Sequence, residues 1–512
     1  MHQATSPVVL RKPIGRHGEL RGLESYARSD QVEGRFGRMF RTLRPAQFDT
    51  AILHDLASEM TAEFEATPTP ETQVDDEENT GISAGYTYLG QFIDHDLTFD
   101  PVSSLQRQND PDALEDFRTP RFDLDCVYGR GPSDQPYLYR SDGVKMLQGD
   151  VLTGNPKDAK ARGVPRNTPE TGEPARAILG DPRNDENVIV SQLQASMLRF
   201  HNRIVDVLGS DNFDEVQTTV RFHYQWVVLH DFLPTIVGVE TLKEIFGTTK
   251  DGNVDYTKDP KLRFYKPKKQ AYMPVEFSAA AYRFGHSMIR PIYRLSPTVD
   301  RLPIFSTTSE SLVGFRKFPT NWAIDWDLFF KPSDAPAPPA LGKTRVQPAY
   351  KPDSSVVNPL GSLPSSVASN PSSLAERNLL RGWRMNLPSG QSVAKAMGFA
   401  VIPDEKLKVG KATAADKNKN KSITEVSSKF KDNAPLWFYV LAEAQQQFVQ
   451  DDTPIRLGPV GGRVVAEVII GLMINDSHSY LRQDRNFTPR REFLSSNADF
   501  HMTDLLRQAR QA

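Results

Sequence analysis

A short segment near residue 90 places three polar side chains where they could act on one proton. In GYTYLGQFIDHDLTFD (85–100), Gln91, Asp94 and His95 have the i, i+3, i+4 spacing of one helical face. An imidazole titrates near neutral pH, so His95 is suited to taking a proton from a bound reactant and returning it. The alternative for this segment alone is a surface helix that turns its polar residues toward water.

A second segment supplies a positive charge. In LGDPRNDENVIVSQLQASMLRFHNR (179–203), Arg183, Glu186 and Asn187 repeat the i, i+3, i+4 spacing. When hydrogen peroxide is activated, an imidazole takes the proton from one oxygen, and a guanidinium stabilises the negative charge that develops on the other. Arg183 beside His95 would form such a pair.

A third segment, SAAAYRFGHSMIRP (278–291), could hold a flat ligand and a metal. One helical stripe would contain Ala279, Tyr282, Arg283 and His286. Gly285 and the alanines would let a flat ligand approach the backbone closely. His286 could bind iron through Nε2 if Nδ1 has a partner, and Asn378, which shares a predicted helix face with Arg381, could accept that proton. The alternative is a core histidine with an ordinary hydrogen bond.

Oxygen donors alternate along a fourth segment, RTPRFDLDCVYG (118–129). They are Thr119, the carbonyl of Arg121, Asp123 and Asp125, and Asp96 could complete the set. Donors of this kind, with three carboxylates, suit Ca²⁺ rather than a transition metal. A bound ion would also fix the helix that carries His95. The alternative is an Asp-rich turn.

Apolar periodicity predicts the elements that must position these residues. Helices are expected over 85–100, 187–208, 219–233, 276–290, 434–449 and 461–474. Strand signals are few and short. Residues 100–180 have the composition of ordered loops, and residues 331–373 and 403–432 have that of long loops or wraps rather than packed elements. We therefore predict a mainly α fold in which an N-terminal arm (1–80) wraps a single large helical domain (81–512) with long ordered loops.

Charge and composition limit the classes of partner. The chain has 62 basic and 64 acidic residues among 512, so bulk charge suggests neither a nucleic acid nor a membrane as partner. Cys126 is the single cysteine, which excludes an intrachain disulfide. The first residues lack the apolar core of a secretory signal, and no apolar run of about 18 residues occurs. We expect a soluble monomer, either cytoplasmic or exported without cleavage.

Five motifs occur in the order seen in one protein family. GQFIDHD, TPRFDLDCVYG, DPR followed by EN, YRFGH and NLLRGWRMNLP resemble the animal-type haem peroxidases of the peroxidase–cyclooxygenase superfamily. The likeness spans about residues 80–390, and LGPVGGRVVAEVIIGL is similar to bacterial members. The resemblance implies a helical fold that holds haem b between a distal and a proximal helix.

The resemblance also implies a role for each matching residue. On the distal side it implies His95 as acid–base, Arg183 as its charge partner and Gln91 as a hydrogen-bond donor. On the proximal side it implies His286 as iron ligand held by Asn378, with Arg283 near a haem propionate and Arg381 on the cofactor side. Carboxylates matching Asp94 and Glu186 can form esters to haem methyl groups, so an ester-linked haem is expected. The implied calcium shell is Asp96, Thr119, Arg121, Asp123 and Asp125.

Two positions narrow the expected activity. Asn187 stands where some relatives have a methionine that forms a third haem bond, so that bond and chloride oxidation are not expected. Arg283 stands where the fatty-acid dioxygenases of the superfamily have a radical-forming tyrosine, and Tyr282 is one residue off. We expect reduction of hydrogen peroxide, as in a response to oxidative stress, with oxidation of small organic reductants, bromide, iodide or thiocyanate. The alternatives are a fatty-acid dioxygenase, a non-catalytic adhesion-type relative and a plain calcium-binding helical protein.

Overall fold

A computed structural model describes most of the chain. The described residues are 34–64, 75–98, 115–116, 118–267, 270–306, 308–332, 341–365, 367–368, 370–449, 452–495 and 499–512. Much of the predicted N-terminal arm, residues 1–33 and 65–74, lies outside them. Residues 99–100 at the end of the first predicted helix also lie outside. The division of the chain at 80/81 therefore stays a prediction.

Helices make up most of the regular structure. The α-helices are α1 Thr50–Met60, α2 Gly85–Leu97, α3 Asp125–Tyr128, α4 Val188–Leu208, α5 Phe213–Val227, α6 Leu233–Val237, α7 Val239–Phe246, α8 Val275–Ser278, α9 Asn358–Gly361, α10 Leu374–Arg384, α11 Gly390–Met397, α12 Ile423–Val426, α13 Leu436–Gln445, α14 Pro459–Asn475, α15 Tyr480–Gln483 and α16 Met502–Ala509. A π-helical turn, Val228–Phe232, joins α5 to α6. Two 3-10 helices, Pro182–Asp185 and Ala281–His286, lie at the site described below.

The strands are short. They are β1 Gly34–Gly37, β2 Glu78–Ser83, β3 Glu115–Asp116, β4 Met273–Pro274, β5 Ile292–Tyr293, β6 Leu302–Pro303, β7 Pro348–Tyr350, β8 Lys408–Val409 and β9 Lys421–Ser422. β1 lies between β3 and β4, and the other six form the pairs β2–β7, β5–β6 and β8–β9. β2 crosses the predicted division at 80/81. The prediction of a mainly α fold with little strand is confirmed.

The core is built on helices whose ends are marked in the sequence. Asn187 caps α4 by accepting hydrogen bonds from the backbone N–H groups of Ile189 and Val190, and Gly209 ends it in the left-handed conformation. α13 and α14 are apolar nearly all round and buried on every side, as expected for central helices. The predictions of helices at 187–208, 434–449 and 461–474 are confirmed within a few residues.

Two predictions of secondary structure are wrong. The single helix predicted for 276–290 is instead α8 followed by the 3-10 helix Ala281–His286, because the backbone leaves the helical region at Ala280 (φ −140°, ψ −77°). Part of 331–373 is not an outer wrap, since β7 pairs with β2 and residues 348–357 are buried. Residues 348–357 are rich in polar and small side chains, so apolar periodicity does not identify this segment as buried.

Within the described residues, no helix combines the length and apolarity needed to cross a membrane.

Candidate active site

α2 presents the first group of site residues because its two faces differ in burial. Leu89, Phe92 and Ile93 are buried in the core. Gln91 and Asp94 are half-buried on the other side, and His95 is 4% exposed. The helix begins against an aromatic wall, where a Cβ at Gly85 would lie 2.5 Å from the ring of Phe330. Only glycine permits this close approach.

The ring of His95 has a defined partner on each nitrogen. Nδ1 lies 2.7 Å from Oδ1 of Asn184, and Nε2 lies 3.5 Å from Oε1 of Glu186. Gln91 Nε2 donates to the same Glu186 oxygen, and Asn187 Nδ2 donates to Gln91 Oε1 at 3.1 Å. The structure thus brings Gln91, His95 and Glu186 together in one polar cluster.

The predicted helical face Arg183–Glu186–Asn187 does not exist. Asp181 caps the 3-10 helix Pro182–Asp185 by accepting from the backbone N–H of Arg183, and Asn187 then caps α4 separately. Two helix starts six residues apart leave no continuous α-helix between them. Glu186 and Asn187 still reach the cluster, because the chain turns at this point.

Arg183 contacts the backbone of His95. Its Nη2 donates to the backbone carbonyls of His95 (3.0 Å) and Thr98 (2.5 Å), at the carboxyl end of α2. The carboxylate of Asp181 pairs with the same guanidinium at 2.8 Å. A cation at the negative end of a helix dipole is favourable, which explains this placement. The N–H of Gln91 is donated to Glu186, and its predicted role as a donor at the site stays a prediction.

The proximal segment packs against α2. Tyr282 donates from its hydroxyl to the carbonyl of Gly90 at 3.2 Å and stacks on Phe277, with ring centroids 4.5 Å apart. His286 lies at the end of the same 3-10 helix. Burial and the charge of Arg283 lower the pKa of His286 to about 3, so its ring is neutral at physiological pH. A neutral imidazole is the form that binds iron.

Asn378 contacts His286 as predicted, but with the opposite end of its amide. Its Nδ2 lies 2.7 Å from Nδ1 of His286, and its Oδ1 accepts from Nη1 of Arg283 at 3.2 Å. The guanidinium takes the amide oxygen because a guanidinium can only donate. Iron binding at Nε2 requires the proton on Nδ1. The amide of Asn378 must then flip, so that its oxygen faces Nδ1 and accepts that proton.

Arginine side chains place positive charge near His286. Burial lowers the pKa of Arg283 to about 10, Asp94 opposes this, and the charges of Arg381 and Arg377 add to the lowering. A cluster of three arginines facing one carboxylate is suited to binding anions such as the carboxylates of a porphyrin.

The residues present fit a haem. The cluster around His95 and the neutral His286 lie on two elements that pack together, with arginines beside them. A Cβ at Gly285, next to His286, would meet nothing within 4 Å, so there is open space beside the backbone. Asp94 and Glu186, the predicted ester residues, are both half-buried on the α2 side.

The predicted calcium residues also come together. One carboxylate oxygen each from Asp96, Asp123 and Asp125 lies within 4.8 Å of the others. Burial and the charge of Asp123 raise the pKa of Asp96 well above its usual value. The Oδ2 atom of Asp96 is buried without a hydrogen bond of normal geometry to the described residues. Three crowded carboxylates with such an oxygen fit a divalent cation.

The rest of the calcium loop is held by side chains. Thr119 Oγ1 donates to Asp123 Oδ2 at 2.9 Å, and Arg121 pairs with the same oxygen at 3.1 Å through its guanidinium. The prediction concerned the carbonyl of Arg121, so its side chain has a second function. Arg118 pairs with Asp125 at 2.7 Å and with Asp181, which joins this loop to the segment that carries Arg183.

The sequence analysis missed Asn184, Gln194, Asp181 and Arg118. The Asp-Pro pair at 181–182 is a helix-start signal and would have predicted the turn at 182–185. No signal in the sequence identifies Asn184 or Gln194, because each is an ordinary amide whose partners come from other segments.

Comparisons with known proteins agree with this geometry. The family model "Animal haem peroxidase" matches residues 111–313. Over these residues the chain is similar to the animal haem peroxidase family. It is 30% identical over 190 residues to thyroid peroxidase of Sus scrofa, which covers 34% of this chain and 19% of that protein. Peroxidasin of Drosophila melanogaster is 29% identical over 135 residues, 25% of this chain and 8% of that protein. The chain spans about a fifth or less of the length of these relatives.

Solved structures show the family fold over nearly the whole chain. Peroxidase A from Dictyostelium discoideum superposes with a TM-score of 0.59 and 15% identity, covering 94% of this chain and 96% of the other. A fatty acid alpha-dioxygenase of Arabidopsis thaliana gives a TM-score of 0.55 and 12% identity, covering 97% and 80%. At these identities both likenesses concern the fold alone.

Proposed function

We propose that this chain is a haem-dependent peroxidase that reduces hydrogen peroxide and oxidises small organic reductants, bromide, iodide or thiocyanate. The observation that carries the proposal is a buried His95, held at Nδ1 and turned with Nε2 toward a polar cluster, on a helix packed against the segment of the neutral His286. Bound haem supplies the redox chemistry with peroxide. The similarity to animal haem peroxidases supports this assignment.

We assign the cofactor contacts to residues on both sides. His286 would bind the iron, and Arg283 and Arg381 would bind the porphyrin carboxylates. Asp94 and Glu186 would form the ester bonds. These assignments are supported by two observations. Arginines lie beside His286, and the carboxylates of Asp94 and Glu186 are half-buried near α2.

His95 performs the proton transfers in this proposal. Its Nε2 would accept one proton of hydrogen peroxide and deliver it to the oxygen that leaves as water, while bound haem would supply the two electrons for cleavage of the O–O bond. Until its ester bond forms, the Glu186 carboxylate, 3.5 Å away, stabilises the protonated ring between these steps. Arg183, whose Nη2 donates to the carbonyls of His95 and Thr98, would supply the positive charge that stabilises the departing oxygen.

The experiment is purification with added haem, followed by assays with peroxide and a panel of reductants. We expect a haem absorption band and peroxide-dependent oxidation of a phenol or of iodide. A protein that binds no haem would refute the proposal and favour a non-catalytic relative. A protein that binds haem but reacts slowly with peroxide in the absence of any fatty acid would favour a dioxygenase.

A fatty-acid dioxygenase is the second candidate because alpha-dioxygenases share the fold. The residue three before His286 is Arg283, and the hydroxyl of Tyr282 is bonded to the carbonyl of Gly90. This arrangement favours the peroxidase. Oxygen uptake with a long-chain fatty acid and a tyrosyl radical signal would reverse the preference.

Covalent attachment of the haem gives one test. After exposure to hydrogen peroxide, we expect acid–acetone extraction to leave haem on the polypeptide, because ester bonds survive this treatment. The Glu186→Gln and Asp94→Asn variants should each lose one bond, and the double variant should release all haem. Mass spectrometry of haem-bearing peptides measures the outcome. Glu173→Gln, an exposed glutamate outside the site, is the control. Full extraction from the unaltered chain would contradict the ester assignment.

Calcium removal gives another test. Chelation should lower the melting temperature, and Ca²⁺ should restore it, because a ligand at 100 times its Kd stabilises a fold by about 2.7 kcal/mol. Asp123→Asn should abolish the calcium response. Asp142→Asn, at a turn where this carboxylate accepts backbone hydrogen bonds, should leave the response intact. Equal stabilisation of both variants by Ca²⁺ would exclude Asp123 as a ligand.

A further inference from the structure

The ring of His95 is tied to a row of amide groups that ends on a backbone carbonyl. From Nδ1 of His95 the row continues with Asn184, whose Oδ1 is 2.7 Å away. Asn184 Nδ2 donates to Gln194 Oε1 at 2.9 Å. Gln194 Nε2 then donates to the carbonyl of Cys126 at 3.4 Å. All four residues are buried, so their hydrogen bonds are made within the protein.

The last member of the row fixes the direction of every bond in it. A carbonyl oxygen only accepts, so Gln194 must present its nitrogen to Cys126 and its oxygen to Asn184. That oxygen needs a donor, so the nitrogen of Asn184 faces Gln194 and its oxygen faces His95. An amide oxygen also only accepts, and therefore Nδ1 of His95 carries the proton.

We propose that Asn184 and Gln194 are positioning residues that hold His95 in the tautomer protonated on Nδ1, which leaves Nε2 free to accept a proton. The catalytic role that this inference gives to His95 rests on the proposed function. Nε2 is the nitrogen that faces the polar cluster with Glu186. In the other tautomer Nε2 would already carry a proton and could not act as the base.

The surroundings show that the side chain of Asn184 is not needed to build its own turn. The turn is held by Pro182 and by Asp181, whose side chain accepts the backbone N–H of Arg183. The backbone N–H of Asn184 bonds to the carbonyl of Asp181. The amide of Asn184 is thereby left for His95 and Gln194, and the row anchors the ring to α3, the helix of the calcium loop.

The test reads the tautomer directly. Histidine labelled with ¹⁵N gives different nitrogen shifts for a protonated and an unprotonated Nδ1, and the diamagnetic ferrous carbonyl form keeps the signals sharp. His95→Gln assigns the resonance by its loss. We expect the proton on Nδ1 in the unaltered chain and in Asn184→Asp, since a carboxylate oxygen still accepts. Asn184→Leu should shift the ring toward the Nε2-protonated form and slow the reaction with peroxide by about tenfold or more.

Two further variants separate positioning from folding. Gln194→Met removes the acceptor for Asn184, so it should also mix the tautomers without touching His95. Asn202→Leu removes a buried asparagine of α4 that is bonded to the backbone of Met146, and it should leave the tautomer unchanged. If the unaltered chain carries its proton on Nε2, or if Asn184→Leu changes neither tautomer nor rate, the inference is overturned. A chain that binds no haem would refute the proposed function instead, and the tautomer could still be read in the haem-free chain.

Discussion

Replacing His95 with alanine should lower the second-order rate of reaction with hydrogen peroxide by roughly 10²–10⁴-fold, the usual contribution of a positioned acid–base group. His95 is the buried imidazole whose Nε2 faces the cluster of Gln91 and Glu186. His95 is the single histidine of α2, so its loss removes the imidazole from this helix. The rate is measured by stopped-flow absorbance on the haem-loaded variant.

The control for this variant is a histidine of similar burial outside the site. His201 is fully buried and bonded to Tyr128 and to the carbonyl of Val144. His201→Gln should cost stability through these lost contacts and leave the rate with peroxide within a few-fold of the unaltered chain. A His95→Ala variant that reacts at the unaltered rate would show that the base lies elsewhere.

Helices with strong apolar signals were predictable from the sequence. α4 has an asparagine cap at Asn187, a regular apolar face and a terminal Gly209, and each of these is a local property. The helix predicted over 276–290 failed because the backbone leaves the helical region at Ala280, which its local pattern does not indicate. The break at Ala280 follows from packing against α2 through Tyr282, which is a long-range contact that the local sequence does not contain.

The residues of the candidate site also fall into two groups, those that the sequence identifies and those whose roles depend on distant partners. His95, His286 and the acidic residues of the calcium loop are identified by chemical type and spacing. The role of Asn184 depends on a partner 89 residues away, and that of Arg183 on the carbonyls at the end of α2. A short-range pattern predicts that a guanidinium and an imidazole are neighbours. It does not predict which atoms meet, because the backbone carbonyls compete for the same donors.

Replacing His286 with alanine should have the largest effect on the cofactor. Loss of a partner that only orients a metal ligand costs about 10–100-fold in metal affinity, so removal of the ligand itself should cost more. Ester bonds through Asp94 and Glu186 would keep haem on the chain, and haem content alone is therefore a poor measure. The absorption spectrum is the better one, and it should lose the features of an iron bound to imidazole.

Two comparisons make this test specific to the iron bond. Added imidazole should restore the spectrum of His286→Ala, because the open space beside Gly285 and the deleted ring admit a free ligand. Asn378→Ala should retain the bond but weaken it, since Nδ1 of His286 then loses the neighbour at 2.7 Å. An unchanged spectrum in His286→Ala would place the iron ligand on another residue. It would also remove the reason for pairing this 3-10 helix with α2 around one cofactor.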